Sequence, residues 1–205
     1  MSFLGGDGKA ALRRAIVDFE ARTAAELVVV VEPRAGHYFH IAALFGVLAA
    51  VATLAFLLYG EPSFHLHWFI VDPLLVGLFA AYLGSGWATL ERALTPASRR
   101  AAWALRAARA AFVARGVADT RGRSGVLVYV AVAERELLVL ADLGVRRSVP
   151  ADAWTRAVAQ LQAAVARGER AVALAPRLLA LSELCGEHLP RRVDDENELS
   201  DEVDG

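Results

Sequence analysis

Between Gly36 and Glu91 the chain carries no lysine or arginine, and two long stretches inside that interval are apolar on every side. Ile41–Tyr59 is a run of 19 uncharged residues, ten of them Leu, Ile, Val or Phe. As a helix it spans roughly 28 Å, the thickness of the hydrocarbon core of a bilayer. Its ten large apolar side chains contribute on the order of −3 to −6 kcal/mol toward insertion. Phe69–Leu90 is similar, with Asp72 and Pro73 near its first end and Gly77, Gly84 and Gly86 inside. Asp72 would cost about 3 kcal/mol at mid-membrane, but so near the start of the run it reaches the headgroup layer. The pattern predicts a transmembrane helical hairpin over 36–91, with spans at about 41–59 and 69–90. The loop Gly60–Trp68 joins them, and Tyr59, Trp68, Phe69 and Trp87 stand at the interfaces. A buried hairpin in a soluble helical protein is the alternative, but such helices carry a polar stripe.

Outside that interval the period changes. Leu12, Ala15, Ile16 and Phe19 recur at helical spacing within Lys9–Arg22, and Glu26–Glu32 is a β-branched run closed by Pro33 that reads as a central strand buried on both faces. Thr95 and Pro96 open a helix that should run to about Arg115 and stop at Gly116, with Trp103, Leu105, Ala108, Phe112 and Val113 as its apolar residues. After the polar connection Gly116–Ser124, the runs Val126–Ala133 and Glu136–Asp142 form a β-hairpin around Glu134 and Arg135. Pro150 starts a helix that ends near Gly168, and a last helix over Glu169–Cys185 contains Pro176 as a kink or break. The stretch 190–205, rich in acids, reads as a disordered tail. Residues 1–35 and 92–189 thus make one α/β domain interrupted by the hairpin. The first strand can join the later hairpin only if both ends of the membrane segment emerge on one side.

The arginines supply that condition independently. Arg22 and Arg34 precede the first span, and Arg92, Arg99, Arg100, Arg106 and Arg109 follow the second, which places both termini on the cytoplasmic side of an inner (plasma) membrane crossed more than once. The arginines of the Pro96 helix can meet anionic lipid headgroups or form a solvated face and topology signal. A formal net charge of −1 gives no electrostatic footprint for nucleic acid. The lone Cys185 excludes an internal disulfide and reads as a small core or helix-end residue. Met1–Ala10 lacks an apolar run, so no signal peptide is expected there.

Ala25–Val31, then Phe112–Val117, then Ser124–Val130, the turn Glu134–Arg135 with the strand running to Val145, and Val149–Pro150 opening a helix together resemble the TPM domain family. The likeness is to small bacterial members in which a two-helix membrane insertion follows the first strand. It implies a small mixed β-sheet flanked by helices and, for some members, phosphatase activity or calcium binding. The family's strand usually ends in a glycine-rich turn; here Ala141 and Asp142 stand before Leu143 and Gly144.

Calcium or phosphoryl chemistry requires clustered carboxylates. Asp119, Glu134 and Asp142 are the candidate ligands, with Arg135 as a phosphate contact. The other readings are a solvated turn pair for Glu134 and Arg135 and a strand-end cap for Asp142. His65 and His67, with Glu61 and Asp72, are metal candidates on the outer loop. No phosphate-binding glycine loop, HExxH or nucleophile elbow is present. The leading expectation is a membrane-anchored, non-enzymatic binding or accessory protein of the cell envelope, whose sheet edge and juxtamembrane helix bind a protein partner or membrane lipid. The alternatives are a divalent-cation-dependent phosphatase and a scaffold that forms homo-oligomers through Gly77, Gly84 and Gly86.

Overall fold

The computed structural model describes residues 3–60, 65–191, 198–199 and 203. In chain order its elements are α1 (Gly5–Glu20), β1 (Glu26–Glu32), α2 (Phe39–Tyr59), α3 (Trp68–Gly84), α4 (Ala88–Leu94), α5 (Ala97–Ala114), β2 (Gly125–Ala131), β3 (Glu136–Ala141), α6 (Leu143–Ser148), α7 (Ala151–Ala166) and α8 (Ala175–His188). They divide into two compact units: residues 1–35 with 97–205, and the inserted Gly36–Pro96.

The first unit is an α/β domain on a three-stranded mixed sheet of order β1-β2-β3. β1 and β2 pair in parallel, Glu26 opposite Gly125, although the whole second unit lies between them in sequence. β2 and β3 pair antiparallel around the turn at 132–135. The central strand is therefore β2, not β1 as expected. Strand alternation sorts the sheet's side chains between two layers. Leu27, Val29, Val31, Val126, Val128 and Val130 pack with α1, α7 and α8, while Val28, Val30, Leu127, Tyr129 and Ala131 pack with α5. On α5 the fully buried residues are Ala104 and Ala108. The larger residues expected to form its core face flank that stripe, and Val113 is 76% exposed, because alanines let the helix backbone lie close to the sheet. Gly125 marks the tightest approach: a Cβ there would lie 2.0 Å from the Val117 carbonyl oxygen.

Two further expectations are corrected. α6 replaces the continuing strand beyond Asp142, because the Asp142 carboxylate accepts the Leu143 N–H at 2.7 Å and caps a helix. Pro176 lies in the first turn of α8, where its missing N–H costs no hydrogen bond, and a 3₁₀ turn, Ala171–Leu174, precedes it. Most of the expected disordered tail lies outside the described residues. Of those described, Glu198 and Leu199 each donate a backbone N–H to the Glu26 carboxylate at 3.1 Å, and Val203 is buried in the core.

In the second unit, α2 and α3 pack as an antiparallel pair that closes on Gly46 and Gly77. A Cβ on either would lie 2.9 Å from the carbonyl oxygen of the other. Gly77 and Gly84, expected to pack copies together, meet Gly46 and Phe45 of α2 in the same chain. α2 is long and apolar enough to cross a membrane; α3 reaches that standard only together with α4. The expected second span is not one helix. It breaks after Gly84, and α4 leaves at 97°. Ser85 is extended, Gly86 has φ of +107°, and the Gly86 N–H is taken by the Glu91 carboxylate at 3.1 Å, so the chain is capped into a new direction.

Candidate functional site

The candidate residues fall at opposite ends of the sheet. At the end where β1 and β2 terminate, the turn holds Glu134 and Arg135. At the other end, where β2 begins and β3 finishes, stand Asp119 and Asp142. The seven residues of β2 separate these ends by roughly 20 Å at about 3.3 Å per residue. Asp119, Glu134 and Asp142 therefore do not form one centre, and no group of three metal-ligating side chains occurs among the described residues.

Glu134 is not a solvated turn residue. It is 1% exposed, and its Oε1 accepts the Ala35 N–H at 3.1 Å, which pins the last residue of the first unit before the chain enters the second. Arg135 is exposed, with φ of +55°, and its guanidinium lies against Gly168. Beside them Tyr129, on the α5 face of β2, donates its hydroxyl to Glu32 Oε2 at 2.6 Å. Burial, and then the hydrogen bond to and charge of Glu32, hold that phenol well above its usual range. Burial raises the Glu136 carboxyl; Arg100 opposes that shift and Glu134 adds to it. Neither Glu32 nor Tyr129 was marked by a sequence motif. The closing Glu of the β1 run was the available signal for the first, and the single polar tip among the β2 hydrophobics for the second.

At the opposite end Asp142 is engaged from two sides. It caps α6, and Arg123 grips both of its oxygens, Nε to Oδ2 at 2.8 Å and Nη2 to Oδ1 at 3.1 Å. Arg123 itself sits at φ of +50°. The strand-end cap reading fits this geometry, and the ion pair neutralises the charge that a cation would need. Asp119 is exposed at the end of the 3₁₀ turn Val117–Asp119. The His65 and His67 rings stand 5.8 Å apart, with Trp68 against His67, while Glu61 lies outside the described residues. Cys185 is fully buried, and burial raises its thiol to about 12, so it is a core residue and no nucleophile at neutral pH.

A concave surface opens elsewhere, along the free edge of β3. It is a groove of about 580 Å³ between α5 on one side and α6 with α7 on the other. Phe112, Val149 and Trp154 give it apolar walls, and Arg109 and Arg146 are its charged residues. The sequence reading named the sheet edge and Arg109 but not the groove, because its walls come from helices distant along the chain.

No family model matches the chain, and neither does any curated protein. Among solved structures it is similar to the NMR structure of BA42 protein from the psychrophilic bacterium Bizionia argentinensis. The two share 17% identity over 99% of this chain and 95% of that one, with a TM-score of 0.60. At that identity the likeness speaks to the fold alone.

Proposed function

We propose that this chain is a membrane-anchored α/β module of the TPM type that acts by binding rather than by catalysis. The observation that carries the reading is the exterior of the Gly36–Pro96 unit. Among the described residues, every exposed large hydrophobic except Val17, Val113, Leu143 and Val172 belongs to it. An apolar surface of that extent calls for lipid or a partner as its solvent. The 21 residues of α2 are enough for a bilayer-spanning helix, and the 17 of α3, which meet that standard only together with α4, stand at the short end of the range. Thr53, a polar residue inside α2, returns its hydroxyl to the Ala49 carbonyl at 2.9 Å.

In this reading α2 and α3 cross an inner membrane and α4 turns into the headgroup layer with Trp87 and Arg92. Because β1 and β2 are neighbours on either side of the insertion, two crossings keep the whole sheet on one side of the bilayer. Arg34, Arg92, Arg99 and Arg100 make that side cytoplasmic, with both termini. The runner-up, a divalent-cation-dependent phosphatase, requires Asp119, Glu134 and Asp142 to meet, and they stand at opposite ends of β2.

Carbonate-washed membranes test the anchor: the chain should stay in the pellet and enter solution only with detergent. A reporter fused at Gly205 should be active only if that end is cytoplasmic. Recovery in the supernatant would remove the anchor, and turnover of a generic phosphomonoester that is lost in Asp119→Asn or Asp142→Asn would remove the non-catalytic reading.

A further inference from the structure

We infer that the groove along β3 receives an extended acidic peptide from another protein, which adds to the sheet as a fourth strand. The inference deepens the binding-module reading above and rests on it.

The backbone makes the first argument. The Asp142 N–H reaches the Gly125 carbonyl at 2.9 Å, so in this antiparallel ladder Leu140 opposite Leu127 and Leu138 opposite Tyr129 are also the hydrogen-bonded pairs. The alternate residues, Leu137, Val139 and Ala141, turn their N–H and C=O groups away from β2. Gln162 Nε2 donates to the Leu137 carbonyl at 3.2 Å and closes that end of the edge. Val139 and Ala141 line the groove and offer a donor and an acceptor each to whatever enters it. An extended chain satisfies such groups; an acyl tail does not.

The walls make the second. An incoming strand points successive side chains at opposite faces, one toward Phe112 and Val113 of α5, the next toward Val149 and Trp154. Each wall also carries one arginine, Arg109 on α5 and Arg146 on α6, and no acid lines the groove. Neither guanidinium has a hydrogen bond or ion pair among the described residues. The charge complement of this pair is a carboxylate beside an apolar residue on each face, an acid–apolar–apolar–acid order along the strand. The described tail residues Glu198 and Leu199 are held elsewhere, by Glu26 at the start of β1, which is the opposite edge of the sheet.

The test uses the full chain in detergent micelles and a fluorescein-labelled, end-capped peptide of sequence Thr-Glu-Val-Val-Glu-Thr, followed by anisotropy. The acidic peptide should bind saturably. Its lysine counterpart, and a version N-methylated at the valines, should bind at least about tenfold more weakly. Ala141→Pro removes an N–H that no ladder bond uses and should weaken binding about tenfold at unchanged melting temperature. Arg109→Glu with Arg146→Glu should reverse the preference toward the lysine peptide. Absence of saturable binding, equal binding of the N-methylated peptide, or indifference to both sets of variants would overturn the proposal. So would displacement of the peptide by phosphatidylglycerol vesicles with Ala141→Pro silent, which would make the groove a lipid contact. A membrane-integral protein that ignores the peptide sinks the groove alone, whereas recovery in the supernatant sinks the anchor and leaves this binding test standing.

Discussion

The two units place the same kinds of side chain at opposite addresses. In the sheet domain Leu27, Leu127, Tyr129 and Leu178 are fully buried, and charged residues cover the outside. In the inserted pair the contact between helices is made by Gly46, Gly77, Ala50 and Ala81, while Leu48, Val51, Phe56, Ile70, Leu78 and Phe79 face outward. The domain is stabilised by removing large apolar groups from water. The pair is held by close backbone approach, the packing that helices adopt when the surrounding solvent is itself apolar. A shared preference for apolar residues therefore says little about location until the size of the residues at the contact is read as well.

The sharpest way to break the comparison is to charge the outer face of α2. Leu48→Arg with Val51→Arg should oppose insertion by about 5 to 7 kcal/mol and move the protein out of the carbonate-resistant pellet. Val17→Arg, at an isolated exposed apolar residue of the sheet domain, should change stability by no more than about 0.5 kcal/mol in a denaturant titration. Equal effects at the two sites would erase the distinction.

Within the sheet domain, Gly125→Ala forces a Cβ to 2.0 Å from the Val117 carbonyl and should destabilise by about 3 kcal/mol, read as a lower melting midpoint. Tyr129→Phe removes the hydrogen bond to Glu32 and should cost roughly 1.5 to 3 kcal/mol in the same assay. The smallest effect concerns pH. Because burial raises the Glu136 carboxyl in the fold, its contribution to stability is complete below the ordinary value of 4.5 and is lost as pH rises through the folded value. Stability measured from pH 4 upward should therefore fall more in the parent chain than in Glu136→Gln, and parallel curves would remove Glu136 as the cause.

Period and composition were enough for much of this architecture. The uncharged apolar runs set apart residues 36–91 where the structure's second unit is Gly36–Pro96, the β-branched run gave β1 to the residue, and the Val126–Asp142 alternation gave the hairpin of β2 and β3. These features are local: a strand's period of two or a helix's stripe is written in neighbouring residues. Local signals also misled. The uncharged continuation from Gly84 to Leu90 reads as one span, although Gly86 and the Glu91 cap turn it aside. Glu134 and Arg135 read as a solvated pair, although Glu134 is drawn under the turn to hold Ala35. The sharing of a carboxylate-rich site was decided only by tertiary structure, because candidates close in a list of loops can sit at two ends of one strand. The same holds for the groove. Phe112, Val139, Arg146 and Trp154 have no sequence relation to one another, and only the packing of α5, α6 and α7 around an unpaired edge brings them to face a common space.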